Sequence, residues 1–293
     1  MGRCGYGLAC YDDGGMIVDC VLMRLAEDRF WSVQADGDVY SWARAHGTDM
    51  DVEITDPHVF VSQVQGPNAL KLLEAMSDEG LPAGFSYYGL ASVRFGGQEF
   101  IVSRTGFTNE LGWEFYTEAH HDVEALWALM QQRGEPLGLD MAPVDAFNTR
   151  RIEAGILNAG SDFDRFTTPY DVGLGRFVDE NKGAFIGSTA LKSARKGRRL
   201  FRFRCLASAV SISGAVENDG RRIGKVTAEA VSPLLGHSLG YVLIDAPEHA
   251  AGDVIWIGCR DGSLHPAELV EPPFYDQAAE IPMGKLVDFP ERP

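Results

Sequence analysis

Beyond residue 190 the chain becomes a succession of short strand-forming stretches, and this change constrains the fold more than any other feature. Turn residues separate the stretches at intervals typical of a small barrel or a sandwich. The stretches are residues 199–206, 222–228, 239–244, 253–257 and 266–270. We therefore predict an α+β protein with two domains, a mixed body over residues 1–190 and a β-rich domain over residues 191–293.

The body combines strand pairs with amphipathic helices. Two hairpins are predicted, residues 7–11 with 17–25 around Asp12-Asp13-Gly14-Gly15, and residues 89–95 with 99–104 around Gly96-Gly97. Further strands are predicted at 29–35, 59–64 and 113–117, and helices at 39–46, 69–76, 121–132 and 145–155. Asn68 is placed to cap the second helix, and Trp127 on the third is interpreted as a packing residue.

Charge and residue usage exclude several classes of protein. The chain has 26 basic and 42 acidic residues, a net charge of −16, and such a surface repels nucleic acid. No stretch approaches 18 uninterrupted apolar residues, which excludes a membrane-spanning helix, and the first residues lack an apolar leader. Five scattered cysteines fit free thiols in a reducing compartment. We therefore predict a cytoplasmic protein. We also predict that it has no metal, because the adjacent pair His120-His121 has poor ligand geometry.

Basic residues concentrate where the two predicted domains meet. They are Lys192, Arg195, Lys196, Arg198, Arg199, Arg202 and Arg204. The cluster is either an anion-attracting patch or a solvated linker that enters an edge strand, and we favour the linker.

Residues 103–114 are the first of three segments whose composition indicates a role beyond packing. They place two glycines, two aromatic rings and two carboxylates, Glu110 and Glu114, in a strand–loop–strand. A carboxylate beside aromatic rings is suited to a flat heterocycle that donates paired N–H groups. The equally weighted alternative is an ordinary hairpin whose two glutamates face water.

The other two segments are residues 14–19 and 145–164, and both contain charged residues near apolar ones. Asp19 lies within an apolar strand, where an unpaired carboxylate is costly, so it must face solvent, a partner or a site. Arg151 and Glu153 in the last predicted helix of the body are interpreted as a structural ion pair. No phosphate-binding loop, nucleophile elbow or zinc-protease motif is present, so the sequence offers no built-in nucleophile with its base.

A colinear set of motifs spans nearly the whole chain. They are Gly14-Gly15 with Asp19, Gln65-Gly66-Pro67, residues 103–114, residues 151–155, Gly173-Leu174-Gly175, Ser232-Pro233-Leu234-Leu235-Gly236 and Pro272-Pro273-Phe274-Tyr275. In this order they resemble the glycine-cleavage T-protein (aminomethyltransferase) family of folate-dependent one-carbon transferases. The resemblance implies a folate-binding core built partly of ferredoxin-like units, a C-terminal β-barrel domain, and tetrahydrofolate as cofactor.

The resemblance also implies roles for particular residues. Glu114 occupies the position that grips the pterin in the family, and Phe107 occupies that of the motif's aromatic residue. Tyr88, or its neighbour Tyr87, falls where the family places an aromatic ring near the pterin.

Three departures from the family pattern shape the functional hypothesis. T-proteins carry two aspartates after Gly-Gly, the first beside the reacting nitrogen; here the first is Val18, which leaves Asp19 as the catalytic candidate. Phe147 stands where the family uses an arginine on a substrate or folate carboxylate. The chain also starts later than typical members, so we expect the N-terminal segment of the family to be missing and question whether the folate pocket is complete.

These departures favour a folate-dependent demethylase that resembles dimethylsulfoniopropionate demethylase. Its partner would be a small S-, N- or O-methylated metabolite, and its product 5-methyltetrahydrofolate. A sulfonium donor leaves as a neutral group, so the step needs alignment more than acid–base chemistry. Trp31 and Trp113 are the predicted donor-binding residues, by cation–π attraction. The alternatives are the aminomethyltransferase of glycine cleavage, which works with a lipoyl carrier, and a non-catalytic folate-binding protein; a homodimer is left open.

Overall fold

The computed structural model describes residues 2–194, 197–206, 212–245, 248–271 and 273–286. Arg195 and Lys196 of the basic cluster, and Pro272 of the C-terminal motif, lie outside these residues. The strands form a three-stranded sheet, a four-stranded sheet and a closed barrel, so the predicted α+β class with a C-terminal β-barrel is confirmed.

The first sheet is an antiparallel meander of β1 (Cys4–Cys10), β2 (Met16–Arg24) and β3 (Phe30–Val33). The predicted turn joins β1 to β2, and Tyr11 N donates to Gly15 O over 2.8 Å. A Cβ atom at Gly15 would lie 1.8 Å from the carbonyl oxygen of Arg165, so this position requires glycine. The turn fixes the register, in which Leu8 faces Asp19. Helix α1 (Val39–His46) follows with the predicted bounds.

The second sheet has the order β4-β7-β6-β5, with β4 (Phe60–Gln65), β5 (Leu90–Phe95), β6 (Gln98–Ser103) and β7 (Gly112–Thr117). Helices α2 (Ala69–Met76) and α3 (Val123–Gly134) pack together, and both supply residues to the core of this sheet. Trp113 and Phe115 of β7 belong to that core. Because side chains alternate along a strand, Glu114 lies on the other face of the sheet.

Two details of the helices differ from the predictions. Asn68 precedes α2, but its side chain makes no cap hydrogen bond and instead donates to Leu137 O over 3.0 Å. Trp127 on α3 is 38% exposed, while Leu126 and Met130 provide the buried contacts of the helix. The chain has other apolar residues for this core, so the indole stays at its edge.

The barrel closes in the order β10-β11-β8-β13-β12-β9. Its strands are β8 (Arg199–Cys205), β9 (Ile212–Asn218), β10 (Arg221–Val231), β11 (Ser238–Ile244), β12 (Val254–Cys259) and β13 (Leu264–Val270). The sequence pattern predicted all of these strands except β9, whose Gly214 and polar residues lack a strand signature. The division at residue 190 stays a prediction.

Helix α4 (Val144–Ala154) packs against the barrel, while the short helix α5 (Ser188–Ser193) precedes it in the chain. Tyr241 OH donates to the carbonyl of Ile156 over 3.0 Å, and Ser232 Oγ donates to Glu153 over 2.5 Å. The predicted Arg151–Glu153 ion pair is wrong. Arg151 holds Asp162 at 2.5 Å, and Glu153 pairs with Arg150, because residues two apart on a helix point to different sides.

Three arginines of the basic cluster form surface ion pairs around the start of β8, whereas Arg202 is buried and donates to Gly155 O over 2.9 Å. Arg198 pairs with Asp245, Arg199 with Glu271, and Arg204 with Glu268. These pairs fit the linker interpretation, although β8 is a strand of a closed barrel and so has no free edge.

None of the helices that the structure describes is long and apolar enough to cross a membrane. The cytoplasmic location and the homodimer stay predictions.

Candidate functional site

A cavity of about 450 Å³ lies where the two sheets meet the loop that follows α4. Its volume falls within the range usual for small-molecule sites. Four residues predicted for the site line it together: Asp19, Tyr88, Phe107 and Glu114. The structure thus brings the predicted pterin position and the predicted catalytic carboxylate to one open cavity.

Glu114 projects into the cavity from the middle of β7, where it pairs with Gln63 of β4. Thr105 Oγ1 and Tyr116 OH both donate to its Oε2 atom, the phenol over 3.2 Å. Neither hydroxyl contacts Oε1. Burial raises the pKa of the Glu114 carboxyl, and the hydroxyl hydrogen bonds oppose that shift. One carboxylate oxygen is therefore held by the protein and the other is left for a ligand.

A buried hydroxyl network fixes this carboxylate. Ser103 Oγ lies 2.5 Å from Thr105 Oγ1 and 3.1 Å from Tyr116 OH. Such a network orients Glu114 before any ligand binds. Tyr116 lies just beyond the predicted segment 103–114 and was not predicted, although alternation along β7 places it on the same face as Glu114.

The loop after Ser103 carries Phe107 and is clamped against β4. Thr108 Oγ1 donates to Gln65 Oε1 over 3.0 Å, and a Cβ atom at Gly106 would lie 2.3 Å from Gln65 Nε2. Phe107 stacks on Phe147 of α4, with ring centroids 5.2 Å apart and ring planes inclined by 22°. The two rings form an apolar wall that can accept the face of a planar ligand.

Asp19 enters the cavity from β2, and among the described residues its side-chain partner is the phenol of Tyr6. Tyr6 OH donates to Asp19 Oδ2 over 2.6 Å, from the neighbouring strand β1. Burial raises the pKa of the Asp19 carboxyl, and the Tyr6 hydrogen bond, which favours the ionised form, opposes this. Buried carboxyls with raised pKa values are typical of groups that exchange protons during catalysis.

Tyr6 was missed in the sequence, although a signal existed. Within the β1–β2 hairpin, Tyr6 faces Val21 and Leu8 faces Asp19. Tyr6 is thus the diagonal neighbour of Asp19 on the same face of the sheet. The register, once fixed by the turn, would have identified it.

Tyr87 and Tyr88 both line the cavity, so the structure does not choose between the two predicted positions. Their rings pack edge to face at 4.8 Å. Tyr88 has a φ of 61°, a left-handed backbone conformation that is unusual for a residue other than glycine.

Trp31 and Trp113 do not reach the cavity. Trp113 is 1% exposed on the opposite face of β7 from Glu114, with Arg104 over its ring at 5.3 Å. Trp31 is buried against Tyr116, with ring centroids 5.8 Å apart. Strand alternation and core packing therefore remove both indoles from the place where a donor would bind.

Comparisons with known proteins identify the family of the chain. Residues 1–182 match the family described as "GCVT N-terminal domain", and residues 198–276 match "Glycine cleavage T-protein C-terminal barrel domain". An aminomethyltransferase of Streptomyces coelicolor is 33% identical over 94% of this chain and 77% of its own, and one of Halothermothrix orenii is 31% identical over 93% and 78%.

The fold is shared with solved structures, of which one is compared in detail. It is the glycine cleavage system aminomethyltransferase T of Bartonella henselae, with a TM-score of 0.83 and 21% identity over 94% of this chain and 77% of that one.

Proposed function

Since the chain belongs to the glycine-cleavage T-protein family of folate-dependent aminomethyltransferases, we propose that it transfers an aminomethyl-derived one-carbon unit to tetrahydrofolate. The donor would be an aminomethyl group on the lipoyl arm of a carrier protein; its carbon–sulfur and carbon–nitrogen bonds would break, and the lipoyl thiol and ammonia would leave. The observation that carries this proposal is the half-buried Asp19–Tyr6 pair in the wall of the cavity that also holds Glu114.

The cavity has the chemistry to hold a reduced pterin. Glu114 offers Oε1 to paired N–H donors, while Thr105 and Tyr116 hold its other oxygen. Phe107, stacked on Phe147, gives a flat apolar wall for the ring. When bound, tetrahydrofolate would supply the two nitrogen nucleophiles that accept the one-carbon unit.

Asp19 can move the protons that the transfer requires. Tyr6 occupies Oδ2, which leaves Oδ1 as the oxygen that would take up or release a proton. Because burial raises its pKa, the carboxyl holds a proton closer to neutral pH than an exposed aspartate does. An amine leaves as a neutral molecule only when its nitrogen is protonated, so an aminomethyl donor uses such a group.

Demethylation of a small methylated metabolite is the second candidate, and the aromatic residues of the cavity favour it. Tyr88, Phe107 and Phe147 could face a methylated cation. The hypothesis rested on the loss of an aspartate at Val18, yet Asp19 supplies a carboxylate to the cavity. A sulfonium donor would leave that group without a task, which makes aminomethyl transfer the better supported reaction.

The test is an assay of products with two kinds of donor. The full chain is incubated with tetrahydrofolate and either an aminomethyl-lipoyl carrier protein or sulfonium, betaine and aryl-methoxy compounds. We expect ammonia and 5,10-methylenetetrahydrofolate in equal amounts from the carrier and no 5-methyltetrahydrofolate from the methyl donors.

Two results would contradict the proposal. Formation of 5-methyltetrahydrofolate from a methyl donor would establish the demethylase. Tight binding of tetrahydrofolate without turnover of any donor would establish a non-catalytic folate-binding protein. Heat-denatured protein with the same donors serves as the control for uncatalysed transfer.

A further inference from the structure

The cavity carries an excess of negative charge. Its described lining includes the carboxylates of Asp19, Asp36 and Glu114, and a single cationic side chain, that of Arg176. The whole chain has a net charge of −16, so its field also disfavours anions. A ligand with a carboxylate would meet repulsion everywhere in this cavity except beside Arg176.

Arg176 has no carboxylate partner among the residues that the structure describes. Its guanidinium stacks on the neighbouring ring of Phe177, 4.8 Å from the centroid. By contrast, Arg150, Arg151 and Arg165 each form an ion pair. The exposed side chain of Arg176 is therefore available to a ligand, and its charge already reaches the cavity, where it opposes the upward pKa shift of Tyr88.

The backbone around Arg176 is held in place. A 3₁₀ turn over Gly175–Phe177 is tied back by Leu174 N, which donates to Pro169 O over 2.8 Å. A Cβ atom at Gly175 would lie 2.6 Å from the ring of Tyr170, so the turn packs tightly there.

The same turn is joined to the Asp19 end of the cavity. The ring of Phe177 packs against Tyr6 with centroids 4.6 Å apart, and Tyr6 donates to Asp19. The position of Arg176 is thus fixed relative to the proton-handling pair.

We propose that Arg176 is the anion-binding residue of this cavity and takes a carboxylate of the bound ligand. That carboxylate belongs to the glutamyl tail of tetrahydrofolate, and the test separates this source from a small amine donor with its own carboxylate, which would differ from the lipoyl donor proposed above. The inference deepens the proposed function, since it rests on a folate occupying the cavity. It also explains how a cavity with three acids admits an anionic ligand.

The test measures binding by calorimetry for wild type, Arg176→Gln and the matched control Arg133→Gln. Arg133 lies in the last turn of α3, exposed and outside the cavity, so its variant makes the same charge change elsewhere. The probes are tetrahydrofolate, 6-methyltetrahydropterin, which has no carboxylate, and N-methylglycine added to the pterin-loaded protein.

If the tail is the source, Arg176→Gln weakens tetrahydrofolate binding about tenfold and leaves the tetrahydropterin within about twofold, because one charge-assisted hydrogen bond is lost. If the donor is the source, the loss falls on N-methylglycine alone. Equal affinities of wild type and Arg176→Gln for all three probes would overturn the inference, as would equal losses in the Arg133 control or a wild type that binds no tetrahydrofolate. A tenfold loss without turnover of a lipoyl donor would refute the proposed reaction and leave Arg176 in its role.

Discussion

Asp19→Asn is expected to lower kcat with an aminomethyl-lipoyl donor by about 10² to 10⁴, the usual contribution of a positioned acid–base group. The amide keeps the size of the carboxylate and can still accept the Tyr6 hydrogen bond, but it cannot take up a proton. Affinity for tetrahydrofolate should change by less than about threefold. The measurement is steady-state ammonia release, together with binding by calorimetry.

The matched control for this variant is Asp28→Asn. Asp28 is exposed in the turn between β2 and β3 of the same sheet and does not line the cavity. Its variant should retain wild-type kcat. A similar loss of kcat in both variants, or none in Asp19→Asn, would remove Asp19 from the reaction.

Tyr6→Phe gives the pH dependence of the same pair. The Tyr6 hydrogen bond favours the ionised form of Asp19 and lowers its pKa, against the upward effect of burial. Its removal raises that pKa further, so the alkaline limb of the kcat–pH profile, where the protonated carboxyl needed by the leaving amine is lost, should move to higher pH. Tyr170→Phe, which removes a phenol–carboxylate hydrogen bond to Glu180 outside the cavity, should leave the limb in place. A limb that stays fixed, or moves to lower pH, in Tyr6→Phe would contradict the assignment.

Glu114→Gln is expected to weaken tetrahydrofolate binding by roughly thirtyfold, about 2 kcal/mol. The amide oxygen can still accept from Thr105 and Tyr116, which turns the NH₂ group toward the cavity and the N–H donors of the pterin. A buried donor facing a donor leaves both without a partner. Calorimetry gives the affinity, and thermal unfolding excludes misfolding.

The control for Glu114 must be an exposed glutamate of the same sheet. Glu110 is unsuitable because it pairs with Arg150 and its side chain is only 12% exposed. The alternative that Glu110 faces water is therefore wrong. Glu99 at the exposed end of β6 meets the requirement, and Glu99→Gln should bind tetrahydrofolate as wild type does. Equal, small losses in Glu114→Gln and Glu99→Gln would show that the pterin is held elsewhere.

Patterns between residues close in sequence predicted many of the strands and helices. The turn residues around Gly14-Gly15 give the first hairpin, and the apolar spacing gives α1 and α2 with their observed bounds. The cost of an unpaired charge in an apolar strand singled out Asp19 before its partner was known. These features could be predicted because they depend on residues that are neighbours in the chain.

The missed features depend on contacts between distant segments. Trp113 was predicted to bind the donor because an indole attracts a methylated cation, yet it adjoins Glu114 on β7, and adjacent residues of a strand face opposite sides. Arg151 was matched to Glu153 by proximity in sequence, whereas its partner Asp162 lies in the following loop. Arg176 was not predicted as a site residue, because only the packing of its turn on Tyr6 brings it to the cavity.

A crystal structure of the full chain with tetrahydrofolate tests the central claim most directly, namely that one cavity holds the pterin at Glu114 and the proton-handling carboxylate at Asp19. We predict N–H donors of the pterin within hydrogen-bond distance of Glu114 Oε1, its ring against Phe107, and Asp19 facing the reduced ring. Folate bound outside this cavity, for example in the smaller crevice lined by Glu74, Trp113 and Met283, would contradict the account.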